Sequence, residues 1–184
     1  MRSTQFRDVR RAVALLLLPL FLASCATSAL PPISLAGGSF EPLDDEVELW
    51  EESRAEEEKL LESVRLYDDP LLESYLEDIV ESLTPPGMAA NPHLRYRVRI
   101  IEDPTLNAFA YPHGSIYIHT GLMARLENED QLATVLGHEM SHVEGRHMLR
   151  QRRSAQNKEI GFAVLSVAAA VIAAEAEWDA YRAG

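Results

Sequence analysis

The chain has 184 residues, with 17 Lys and Arg against 29 Asp and Glu and a formal charge of −12. That length is enough for one domain with a buried core, and an acidic balance with no basic stripe excludes a nucleic-acid-binding protein. Cys25 is the single cysteine, so no disulfide forms within the chain.

The first segment reads as a targeting signal and not as part of the core. Arg2, Arg7, Arg10 and Arg11 form a basic region, and Val13 to Ala23 is an apolar run too short to span a bilayer as a mature helix. It ends in Leu22-Ala23-Ser24-Cys25, which resembles the bacterial lipobox, in which the Cys is diacylated and becomes the mature N-terminus. Residues 1–24 are therefore expected to be a lipoprotein signal peptide and Cys25 the lipidation site, a membrane anchor that needs no spanning helix. Ala26, in place of Asp after the Cys, implies sorting to the outer membrane, facing the periplasm. Loss of residues 1–24 removes four Arg and one Asp and moves the formal charge to −15. Residues 25–43 are small and rich in Pro and Gly, and read as a flexible tether.

From Asp44 to Glu62 the chain is dense in Glu and reads as an acidic, mostly solvated helix. Asp69-Pro70 opens a second helix, in which Leu72, Leu76, Ile79, Val80 and Leu83 recur at three- and four-residue spacing, and Pro85-Pro86-Gly87 stops it. In residues 95 to 100, Tyr96, Val98 and Ile100 alternate with Arg95, Arg97 and Arg99, the period of a strand with one wet face. Residues 107 to 111 and Ser115 to His119 read as two strands around a Pro112-His113-Gly114 turn. The fold class is α+β with a small antiparallel or mixed sheet. Residues 107 to 111 are the candidate edge for pairing with an extended substrate. His93, His113 and His119 lie on loops or strands and read as surface or structural residues.

Residues 128 to 150 carry the strongest chemical signal. Asn128 with Gln131 has capping-box spacing, Glu129 and Asp130 suit a helix N-terminus, and Leu132, Val135, Leu136 and Val143 supply an apolar face. On that helix His138-Glu139-Met140-Ser141-His142 spells H-E-x-x-H. Residues four apart share a face, so His138 and His142 can offer two imidazole nitrogens to one zinc ion, with Glu139 beside them as a base. Gly137 permits a neighbouring element to approach closely. On a continuing helix His147 would lie about 180° from His138, pointing away from the metal, which disfavours a third His ligand here.

The succession Asp103…Asn107-Ala108-Phe109-Ala110…Gly114-Ser115-Ile116-Tyr117-Ile118…Thr120-Gly121-Leu122…Glu129 to Val143…Arg146-His147 resembles the M48 family of metallopeptidases over about residues 60 to 150. The resemblance implies a zincin-like fold over residues 44–184, with its C-terminal part beyond this chain, and one zinc per chain. It makes His138 and His142 zinc ligands and Glu139 the catalytic base that activates the zinc-bound water. It also implies endopeptidase activity on polypeptide substrates, misfolded or unassembled envelope proteins among them. A non-catalytic envelope binding module that keeps the fold is the alternative.

In the family a later E-x-x-x-D motif supplies the third ligand, and Glu175 to Asp179 has that spacing, 33 residues after His142. A helix running on to a turn near Ser154 travels about 18 Å, and a straight return to Glu175 about 27 Å, overshooting the metal by about 9 Å. The third ligand is therefore expected beyond the chain end, with Glu175 as the candidate inside it. The apolar run from Ile160 to Ala174 is 15 residues long, too short for a comfortable bilayer span.

Overall fold

The computed structural model describes residues 30–160, 162, 163 and 166. Signal peptide, Cys25 and Glu175 to Asp179 lie outside the described residues, as does most of the apolar run after Ile160. Leu30–Arg150 form one compact unit. Beyond it, residues 151–160, 162, 163 and 166 are helical. No helix among the described residues is long and apolar enough to cross a membrane.

Helix α1 spans Asp44–Ser63 and starts with Asp44, Asp45 and Glu46 in its first turn, where carboxylates meet the positive end of the helix dipole. It is less solvated than its composition suggests, because Glu46, Leu49, Trp50 and Ser53 recur on one buried face. Helix α2, Pro70–Leu83, is capped by the Asp69 carboxylate, which accepts from the backbone N–H groups of Leu71 and Leu72, with Pro70 preset for the first turn. It buries Leu76, Ile79 and Val80 and ends at Thr84, before Pro85 and Pro86. A short helix α3, Pro86–Ala89, follows.

The three strands are β1 (Arg97–Ile101), β2 (Ala108–Ala110) and β3 (Ser115–His119), in the spatial order β1-β3-β2. The sheet is mixed. β1 runs parallel to β3 with Val98 opposite Ile116, and β2 runs antiparallel with Phe109 opposite Tyr117. Gly114 turns the hairpin at φ +101, and its backbone packs against the Arg95 carbonyl, so only a residue without Cβ fits. A short helix α4, Thr120–Met123, follows β3, and helix α5, Glu129–Glu144, carries H-E-x-x-H.

Period two in the strands divides the side chains between two faces. Val98, Ile100, Ile116 and Ile118 join Leu76, Ile79 and Val80 of α2 and Leu132, Leu136 and Met140 of α5 in the main core. Tyr117 and His119 point to the other face, where Phe109 stacks on Tyr117 at 5.3 Å between ring centroids.

Residues 30–43 are not wholly a tether. Two single-turn 3-10 segments, Ile33–Leu35 and Gly37–Ser39, lead into α1. Ile33 and Phe40 are buried with Trp50, Met88, Leu94 and Val143, and Leu30 with Leu49 and Leu149. Buried Asn91 fastens the segment: its side-chain amide donates to the Gly37 and Phe40 carbonyls, and its Oδ1 accepts from the His93 and Leu94 N–H groups. The Pro and Gly content marks irregular backbone, but the apolar side chains between them bind it to the domain.

Candidate metal centre

Asn128 starts α5 by accepting the Gln131 N–H on its side-chain oxygen at 3.0 Å, and Gln131 Oε1 accepts the Glu127 N–H at 2.8 Å. The second bond closes one residue earlier than a standard capping box. Leu132, Leu136, Met140 and Val143 then fix the buried side of the helix, leaving His138 and His142 exposed one turn apart on the other. Their Nε2 atoms face each other at 3.1 Å. Two nitrogens bound to one tetrahedral zinc at ordinary Zn–N lengths stand about 3.3 Å apart, so the pair is set close to the bite a zinc ion needs. Glu139 is half-buried beside them. Burial holds its carboxyl above the ordinary carboxylate range, with His138 and His142 drawing it partly back.

Gly137 does not admit a neighbouring element. A Cβ there would meet nothing within 4 Å. Strand β2, at the sheet edge and packed against α5, is the strand expected to border the site.

His147 departs furthest from its expected position. The helix does not continue through it. Gly145 and Arg146 form a turn, with Arg146 at φ 52, and the chain is helical again from 147 to 160, so no turn falls near Ser154. The reversal brings His147 Nδ1 to 2.6 Å from His142 Nδ1. The three rings do not form a single three-His site, because His142 meets His138 through Nε2 and His147 through Nδ1. Among the described residues, no group of three or more His, Cys, Asp or Glu side chains is arranged to hold a metal ion.

Acidic residues of α1 build two further polar clusters, one at the end of α5 and one on the sheet. Arg146 makes a 3.0 Å ion pair with Glu46 and lies over the Phe40 ring, 4.9 Å from its centroid. On the second face of the sheet, Glu57 accepts from the Tyr117 hydroxyl at 2.7 Å and meets His113 Nε2 at 2.9 Å. His119 Nδ1 meets Thr105 Oγ1 at 2.7 Å and Asp103 at 3.5 Å, so His113 and His119 are structural. A groove of about 330 Å³ runs between Val80, Thr84, Met88, Leu94 and Val98, and no residue of α5 lines it.

The family model of peptidase family M48 matches residues 70–183, more than half of the chain and all of α5. The chain belongs to peptidase family M48. It is 31% identical over 147 residues to the beta-barrel assembly-enhancing protease of Escherichia coli, covering 78% of this chain and 29% of that protein. It is 28% identical over 137 residues to the mitochondrial metalloendopeptidase OMA1 of Arabidopsis thaliana, covering 73% and 27%. Against OMA1 of Schizosaccharomyces pombe it is 29% identical over 109 residues, covering 56% and 32%. This M48 chain thus spans about a third or less of the length of each of these relatives.

Proposed function

We propose that the chain is the metal-binding part of a zinc-dependent endopeptidase of the bacterial cell envelope, lipid-anchored at Cys25 to the outer membrane and facing the periplasm. The observation that carries the reading is the 3.1 Å approach of His138 Nε2 and His142 Nε2 on the exposed side of α5, with Glu139 beside them, in an M48 chain. His138 and His142 would hold the zinc. When bound, zinc supplies Lewis acidity, polarising the scissile carbonyl and acidifying the attacking water. Glu139 would take the proton from the attacking water on its carboxylate oxygen and deliver it to the leaving amine. β2, at the sheet edge, holds the extended polypeptide by backbone pairing. The substrates are misfolded or unassembled envelope proteins, and the name of the Escherichia coli relative supports that setting.

The test is zinc content and casein cleavage by protein beginning at Ala26. Glu139→Gln is expected to keep the zinc that the parent chain holds and lose cleavage, and His142→Ala to lose both. Cleavage undiminished in Glu139→Gln would overturn the reading. A folded chain with neither zinc nor cleavage would fit either a part of the peptidase short of its third ligand or a non-catalytic binding module that retains the fold.

A further inference from the structure

A helix that simply ran on after His142 would send His147 to its far side. Instead the chain breaks at Gly145, and Arg146 takes a left-handed backbone conformation that side chains other than glycine adopt rarely. Such a conformation persists only where its surroundings over-determine it, and they cluster at functional sites. Here the surroundings are explicit: Glu46, in the first turn of α1, pairs with Arg146, and Phe40, from the segment that leads into α1, lies under the guanidinium. The turn lays the His147 ring over Gly145, where a Cβ would fall 2.5 Å from His147 Nε2. His147 thereby reaches His142 Nδ1, the ring nitrogen turned away from His138.

A neutral imidazole has one donor and one acceptor nitrogen, and a ligand nitrogen must be the unprotonated one. We propose that His147 is a positioning residue: its Nδ1 accepts the Nδ1–H of His142, which leaves His142 Nε2 free of a proton and turned to the metal side. His147 then carries its own proton on Nε2, over Gly145. This inference rests on the metallopeptidase reading for the identity of the metal, and on the two contacts of His142 for the tautomer.

The experiment uses the full chain with His147→Ala and His147→Asn. Asn presents a carbonyl oxygen about where the His Nδ1 stood, so it keeps the acceptor. Zinc affinity, measured by competition with a chelator, is expected to fall 10- to 100-fold in His147→Ala and to recover to within a few-fold in His147→Asn, the size of effect usual for partners of metal-ligating His. Nitrogen NMR of the metal-free rings should find His142 protonated on Nδ1 in the parent chain and moved toward Nε2–H in His147→Ala. Unchanged zinc affinity in His147→Ala would overturn the proposal. So would equal losses in the two variants, or His142 protonated on Nε2 in the parent chain. A parent chain that takes up no zinc while the tautomer shifts as expected would count against a complete metal site within this chain and leave the His142–His147 relation standing.

Discussion

Glu46, in the first turn of α1, and Arg146, in the turn that ends α5, meet through a 3.0 Å ion pair closed off from solvent on both sides. Burial lifts the Glu46 carboxyl above its ordinary range and Arg146 draws it back, so the pair offsets a desolvation cost and does not contribute stability freely. Removing one partner strands a buried charge. Glu46→Leu and Arg146→Met are each expected to lose about 3–5 kcal/mol, and the double variant much less than the sum. Denaturant unfolding of all four proteins measures the coupling, and additive losses would show that the pair does not act as a unit.

Stability should fall in acid in two steps. Burial raises Glu57, but hydrogen bonds from Tyr117, Ser115 and His113 outweigh it and hold the carboxyl below its ordinary 4.5. Burial holds the His113 ring below its ordinary 6.5 despite the pull of Glu57. Both groups bind protons more readily unfolded, so each contributes stability above its unfolded value that drains as pH falls towards the folded one. For His113 the loss begins as pH drops below about 6.5, and for Glu57 below about 4.5. Thermal melts from pH 8 downward should show both, and His113→Asn should flatten the upper step. An unchanged upper slope in that variant would assign it to another group.

The glycines of the site region should respond to alanine in opposite directions. A Cβ on Gly121 would run into the Pro104 carbonyl oxygen, where the β1–β2 loop is held by the Gly121 N–H donating to Asp103. Gly121→Ala is expected to cost about 1–3 kcal/mol or more through forced backbone movement. Gly137 lies inside α5 with open space around its Cβ position, so Gly137→Ala should stabilise by about 0.5–1 kcal/mol. Melting temperatures of the two variants decide this, and a destabilised Gly137→Ala would reveal a requirement for backbone freedom there.

What the sequence disclosed follows from the range of each signal. α2 was legible because Leu76, Ile79 and Val80 recur with the helical period between an Asp-Pro start and a Pro-Pro stop. The hairpin was legible from alternation around Pro112-His113-Gly114, and His138 and His142 share a face through local geometry alone. The Glu46–Arg146 pair was not, because its members stand 100 residues apart and Glu46 hides among acidic neighbours that are solvated. Its burial is a tertiary outcome, as is that of Ile33 and Phe40 within a stretch of turn-forming composition. His147 was misplaced for a related reason. Gly145 was a visible hint of a helix end, but the reversal at Arg146 depends on Glu46 and Phe40, which no local window contains.

Strand order also dictates an order of events in folding. β2 and β3 are joined by four residues and pair antiparallel, so their registry costs little loop closure and can be reached within microseconds. β1 comes first in the chain yet must dock last, parallel to β3 on the side away from its sequence neighbour β2. That pairing closes a loop containing the finished hairpin strand, and parallel registry yields no stabilisation until the loop is closed. The slow step of assembly thus falls on the β1–β3 seam, and substitutions at Val98 or Ile116, which face each other across it, should retard refolding more than those at Phe109.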